Sequence, residues 1–455
     1  MRVTLIYPAI GRRKGQDYLR GWQMEPLAMG VLARLTPRDV AVRFYDDRLE
    51  PIPYNEPTDL VALTVETYSA RRAYQIASEY RKRGVPVVMG GFHPTLVPEE
   101  ALEYADAILI GEAEGLWPIL LADFRAGRMQ EVYRSDDRPP LVGITPDRSI
   151  FEGKRYLPVG LVEAGRGCRF KCEFCSVQSF FGSTQNWRPV EEIVAEIESI
   201  KDRTRLIFFV NDNITDNTPE TRMLFEALIP LKIKWVSQAS IDAARDESFL
   251  RLMKESGCQG VLIGFESLNL QNLRRMGKGV NLQEQDGYDT ALANLRKYKI
   301  RIYASFILGY DEDTPKAFAE TLAFARRHRF FVAAFNHLLV FPGTPLYSRV
   351  AAEGRLRFDR WWLNPAYRFG MVPFVPARMT PEAVEQGCME ARRAFYRWRS
   401  ILQRVDFGVN SSNPLMLFAY WFVNALQRRE VVERHGFPLG DEGHEVELIK
   451  RGVHV

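Results

Sequence analysis

Within the stretch GRGCRFKCEFCSVQSF, Gly165 to Phe180, three thiols fall inside eight positions: Cys168, Cys172 and Cys175. The chain holds five cysteines in 455 residues, so the spacing is a concentration and not a scatter. Three chemistries use thiols so close together. Zinc is normally enclosed by four Cys or His ligands, commonly grouped as paired CxxC or HxxxH elements. Here Cys258 and Cys388 stand alone, and the six histidines are dispersed. A disulfide framework belongs to oxidising compartments and even cysteine numbers. An iron–sulfur cluster on three thiolates leaves one iron open to bind a further molecule, which accounts for the missing fourth ligand.

The elements that must position these thiols are legible from composition and periodicity. A chain of 455 residues exceeds one core and divides into two or three domains. Its apolar content of 46% and charged content of 26% are those of an ordinary globular protein. The formal charge of +4, from 61 basic and 57 acidic residues, leaves no dominant basic tract, so nucleic acid is not an expected partner. The N-terminal MRVTLIYPAIGRRKG reads as a first strand and not as a signal peptide. The longest apolar run, Pro414 to Val423, is too short to cross a bilayer. A reducing cytoplasm is the expected location.

Residues 1–135 alternate strands (RVTLIYP, AVRFYD, DLVALTV, PVVMGG, AILIG) with amphipathic segments such as that from Ser69 to Gly84. Such alternation predicts a doubly wound, parallel five-stranded α/β sheet, which binds ligands at the carboxyl ends of its strands. Those ends carry Tyr7 and Pro8; Glu66, Thr67 and Tyr68; Gly90, Gly91 and His93; and Gly111 and Glu112. Residues 136–158 read as a linker. A second series over 159–345 (PVGLVEAG, RLIFFVND, IKWVSQAS, GVLIGFES, IRIYASFILG, VAAFNHLLVF) predicts a partial (βα)6 barrel, with the cysteines after its first strand. Residues 346–455 are expected to form a mainly helical extension.

The form of CRFKCEFC, Cys-x3-Cys-x-aromatic-Cys, resembles that of the radical S-adenosylmethionine (SAM) superfamily. The resemblance implies a [4Fe–4S] cluster whose open iron chelates SAM and yields a 5′-deoxyadenosyl radical. It also implies SAM contacts at the barrel strand ends: Phe174 beside the third cysteine, Asp212 and Asn213, Gln238, Glu266 and Ser267, and the backbone from Phe306 to Gly309. The family usually places a Gly-Gly-Glu-like segment after the second strand; here Asn211, Asp212 and Asn213 stand there.

A parallel domain before such a barrel resembles the cobalamin-binding domain of the B12-dependent branch. The closest match is the segment VPVVMGGFHPTLVPEEALEYADAILIGEAEG, whose glycines permit close approach of a bulky ligand. No Asp-x-His-x-x-Gly motif occurs in residues 1–150, so cobalt would lack a lower histidine, and His93 is read as a contact to the cofactor tail or a turn cap. The strand-end residues from Tyr7 to Glu112 are the implied cobalamin contacts. FPGTPLYSR, RFDRWWLNPAYRFG and MTPEAVEQGCMEARRAFY are similar to the extension of hopanoid-modifying enzymes and of the anaerobic magnesium-protoporphyrin monomethyl ester cyclase. Trp361, Trp362, Tyr367 and Phe369 are expected either over an apolar substrate or in a core between domains. The resemblance implies a cobalamin-dependent methyltransferase of an unactivated carbon in a lipid or tetrapyrrole-like substrate, with flavodoxin or ferredoxin as electron donor. A cyclisation or rearrangement is the second expectation, and a metal-stabilised binding protein the third. LMLFAYWFV followed by QRRE is read as a core helix or a peripheral membrane contact.

Overall fold

The computed structural model describes all residues except 17, 19–22, 136, 217, 283–287, 434, 445–447 and 452–455. Six apolar runs near the N-terminus form one parallel sheet: β1 (Arg2–Tyr7), β2 (Ala41–Asp46), β3 (Leu60–Thr64), β4 (Val87–Gly90), β5 (Ala107–Ile110) and β6 (Val132–Arg134). Their spatial order is β2-β1-β3-β4-β5-β6. Periodicity implied five strands; the sixth, β6, was missed because it has three residues and buries only Tyr133. The order reverses between β1 and β3, and in doubly wound sheets that reversal opens a crevice above the strand ends.

The second sheet holds β7 (Val159–Val162), β8 (Leu206–Phe209), β9 (Trp235–Ala239), β10 (Cys258–Glu266), β11 (Arg301–Leu308) and β12 (Val332–His337). Each strand pairs in parallel with the next, and β7 and β12 do not pair among the described residues. This is a sequential βα series, the topology of an incomplete barrel. Phe265, Phe306 and Phe335 stack on the helix-covered face of this sheet, with ring centroids 5.5 and 5.7 Å apart, against Phe324 and Phe395 of the covering helices.

Between the sheets, a short turn at Arg148–Phe151 sets Phe151 against Phe44. Arg148 reaches across to bond Glu25 and, at 2.7 Å, Glu196. After β12 come helices Pro345–Ala352, Pro381–Phe395, Trp398–Gln403 and Pro414–Glu433. Thr344 and Thr380 cap the first two, each followed by a proline at the first helical position. The chain then returns to the first domain, where Gly440–Asp441 pairs with Gly11–Arg12. No helix among the described residues is long and apolar enough to cross a membrane.

Trp361, Trp362 and Tyr367 are buried, so the aromatic segment is a core between domains and not an open lid. Its polar anchor is Glu100, which accepts from Tyr74 (3.0 Å), His93 (3.0 Å) and the Trp362 indole (2.8 Å). Burial alone would raise this carboxyl, but the hydrogen bonds from His93, Trp362 and Tyr74 hold it below its usual range. Glu100→Ala strands those partners without an acceptor, with an expected loss of about 3 kcal/mol. Urea unfolding should show an earlier midpoint, with Glu100→Gln, which keeps one acceptor, falling between.

Candidate functional site

The cysteine loop follows β7 through a short antiparallel ribbon, Gly165–Gly167 against Gln185–Trp187. Gly167 has φ +92°, and a Cβ there would lie 2.1 Å from the Thr184 carbonyl oxygen, so only glycine fits. Asp212, at the end of β8, accepts the Gly167 amide at 2.8 Å and fixes the approach to Cys168. Further along, the Glu173 amide donates to Met276 and its carbonyl accepts from the Leu346 amide, both at 3.0 Å. The Glu173 carboxylate is held by Arg349 at 2.9 Å and by the Tyr310 hydroxyl. A Cβ on Gly277 would sit 2.6 Å from the Lys171 carbonyl oxygen, so that glycine backs directly onto the loop.

Cys172 is buried, while Cys168 and Cys175 are half-buried. Burial pushes the Cys172 thiol up to about 11 and raises the other two, against the pull of the Lys278 ammonium. Lys278 also pairs with Glu266 at 3.2 Å. Glu266 sits at a register shift between β10 and β11 with φ +61°, a backbone strain that accumulates at functional sites. Asn281 donates to the Gly264 and Phe265 carbonyls and braces that turn. Thiols that burial disfavours as thiolates suit a cationic cluster, which deprotonates its ligands outright. No three His, Cys, Asp or Glu side chains among the described residues form a single-ion site. Lys278, in the string MGKG, was missed from sequence: only the fold carries it from beyond β10 to the thiols.

The other residues implied as SAM contacts separate into two groups. Asp212, Gln238, Glu266 and Ser267 lie at the ends of β8, β9 and β10, on the face carrying the cysteines. Asn213 is occupied instead by Thr215 and Ser240, at 3.1 and 3.2 Å. Ser267 accepts from the Asn269 amide, and Gln238 donates to the Asn211 carbonyl. The Phe306 ring is fully buried between the sheet and its covering helices, leaving only its backbone near the strand end. Gly309, with φ +95°, lets helix Pro381–Phe395 approach: a Cβ would meet Val384 at 2.8 Å. Phe174 packs at the margin of the barrel core.

On the first domain, a cavity of about 310 Å³ opens at the crossover between β1 and β3. Tyr7, Pro8 and Ile10 line one side, Glu66, Thr67, Tyr68 and Ser69 the other. Ser176, directly after Cys175, and Phe341 close it from the second domain, so the cavity abuts the cysteine loop. Glu66 lines this space with no ion-pair partner among the described residues, and neighbouring protein raises its carboxyl although the residue stays open to solvent. Gly90, Gly91 and Gly111 continue the same edge, where Thr95 bonds both Gly91 and Gly111. Glu112 is engaged elsewhere: it pairs with Arg138 at 2.7 Å and Arg166 at 3.3 Å, and Arg166 also holds Glu114 and Glu163. His93 is fully buried, with Nδ1 3.4 Å from Thr67 and Nε2 3.0 Å from Glu100. It braces the fold beneath the strand ends and does not face the cavity. The tyrosines, Arg48, Glu66 and hydroxyl groups around aromatic walls fit part of a large, amide-bearing ring, and among the described residues no histidine lines the space.

Residues 162–325 match the model of the Radical SAM superfamily. The chain is 30% identical over 415 residues to a bacteriochlorophyllide d C-12(1)-methyltransferase of Chlorobaculum tepidum, covering 89% of this chain and 88% of that one. It is 24% identical to a hopanoid C-2 methylase of Rhodopseudomonas palustris, covering 85% and 74%. Its fold is similar to that of TsrM, a radical S-adenosylmethionine methyltransferase from Kitasatospora setae with cobalamin and a [4Fe–4S] cluster bound, at TM-score 0.64 and 15% identity over 95% and 99% of the two chains. The chain therefore belongs to the radical SAM superfamily. It is an enzyme, and its family's cofactors are a [4Fe–4S] cluster and SAM.

Cys258 and Cys388 are buried away from solvent, and burial pushes both thiols up to about 12. Replacing either with alanine should leave iron and sulfide near four each per chain after anaerobic reconstitution, whereas Cys172→Ala should abolish the cluster.

Proposed function

We propose that this enzyme is a cobalamin-dependent radical SAM methyltransferase acting on an unactivated carbon of an apolar substrate of the tetrapyrrole or hopanoid kind. The observation that carries the reading is the crossover cavity, lined by both domains and set against the cysteine loop. The named activities of the relatives support it, since both are methylations of large, largely apolar molecules. When bound, the cluster and SAM supply a 5′-deoxyadenosyl radical, and cobalamin supplies the methyl group.

The chain's own residues do the rest. Cys168, Cys172 and Cys175 hold the cluster. Lys278 offers an ammonium for the SAM carboxylate, and Glu266, Asp212, Gln238 and Ser267 offer polar groups around it. Tyr7, Pro8, Glu66, Thr67 and Tyr68, with the glycine edge at Gly90, Gly91 and Gly111, would cradle cobalamin. Buried Trp361, packed against the half-buried Tyr68 and Phe341 at the cavity wall, keeps water from the space between the domains. A flavodoxin- or ferredoxin-like protein in the cytoplasm is the proposed electron donor.

The test is anaerobic incubation of the reconstituted, cobalamin-loaded enzyme with methyl-labelled SAM, a reductant and bacteriochlorophyllide or hopanoid acceptors. Label should appear on the acceptor together with 5′-deoxyadenosine. Consumption of the acceptor to a cyclised or rearranged product without label would overturn methyl transfer.

A further inference from the structure

Of the thirteen large apolar side chains that stand exposed among the described residues, six lie between Trp398 and Phe422. Phe407 is 73% exposed and Phe418 66%. Leu415, Phe418 and Phe422 fall at i, i+3 and i+7 of helix Pro414–Glu433 and so share one face. The Phe418 and Phe422 rings lie parallel, with centroids 5.9 Å apart. Trp398 and Leu402 occupy one face of the neighbouring helix Trp398–Gln403, and Trp398 meets Trp421 at 6.1 Å, which joins the two helices into one patch.

The long helix is turned inside out relative to a surface helix. Its polar groups point inward: the Tyr420 hydroxyl donates to the Ile401 carbonyl at 2.7 Å, and Asn424 bonds Arg404 at 2.9 Å and the Phe331 carbonyl at 3.2 Å. Those bonds fix which side faces out, and the side left out is apolar. After the exposed Glu390, every exposed charged residue up to 430 is an arginine: Arg393, Arg397, Arg399, Arg428 and Arg429, with Arg397 and Arg399 flanking Trp398 in the chain. Arg428 lies over the Trp398 ring at 5.4 Å, so the charge borders the apolar face directly.

We propose that this face docks the enzyme in the plane of an anionic lipid bilayer. An outward aromatic and leucine face inserts at the headgroup boundary, while arginines attract anionic lipid. A second copy of the chain fits less well, because a twofold contact would set the arginine rim of one copy against that of the other. The inference stands independently of methyl transfer, since none of these side chains reaches the cysteine loop or the cavity.

The test is co-sedimentation of the full chain, with its cluster reconstituted, with vesicles of phosphatidylcholine alone or mixed with phosphatidylglycerol. Binding should be at least tenfold tighter to the anionic vesicles and weaken with salt, by roughly fivefold for each arginine lost. Phe418→Glu with Phe422→Glu should abolish it, and Arg397→Gln with Arg399→Gln should weaken it. Both double variants should keep the parent's iron content and SAM cleavage in solution. Equal partition onto phosphatidylcholine, absence of binding, or a parent dimer that the Phe418→Glu variant dissociates would overturn the proposal.

Discussion

Gathering three thiolates in a protein-lined recess is electrostatically unfavourable, and everything around the loop follows from making it tolerable. Burial raises all three thiols, so the charge needed to ionise them must come from bound iron and from Lys278. A loop that is to carry that charge must also be rigid, because in the proposed reading its thiolates would hold one cluster together. The protein holds it from several directions: by Asp212 on Gly167, by Met276 and Leu346 on the backbone of Glu173, and by Arg349 and Tyr310 on its carboxylate. In the proposed reading, three thiols would leave one coordination position for SAM, and the strand ends around the loop offer polar groups to it.

The same constraint governs how the two sheets meet. In the proposed reading, the radical chemistry would need a second cofactor close to the first and both away from water. The strand ends of the first domain are therefore aimed at the cysteine loop and fastened by charge. Arg166, in the ribbon leading to Cys168, is clasped by Glu112 and Glu114 of the first domain and by Glu163. Glu100, His93 and Trp362 fasten the opposite side, and Tyr68 crosses into the aromatic core of the extension. Pairs this enclosed do little for net stability but define one relative orientation, since breaking either partner leaves a buried charge.

Much of this arrangement was legible from residue types and periods. The six barrel strands announced themselves as apolar runs because parallel strands are buried on both faces. The cysteine spacing pointed to an open cluster before any fold was known. What escaped were features with no local period. The strand Val132–Arg134 is too short to show one, and Lys278 reaches the thiols only through tertiary contacts. Glycine-rich strand ends read uniformly as ligand contacts, yet the fold divides them: Glu66 and Thr67 face the cavity, Glu112 serves an ion-pair network, and His93 is sealed beneath. Sequence places a residue at a strand end, but packing decides which way it looks.

The vacant coordination position is the centre of the account, and the electron paramagnetic resonance spectrum of the reduced, reconstituted enzyme tests it directly. Adding SAM should shift the signal of the reduced [4Fe–4S] cluster, because the cosubstrate binds its open iron. A spectrum that SAM leaves unchanged in a fully loaded cluster would contradict it, as the iron would then be closed by another ligand.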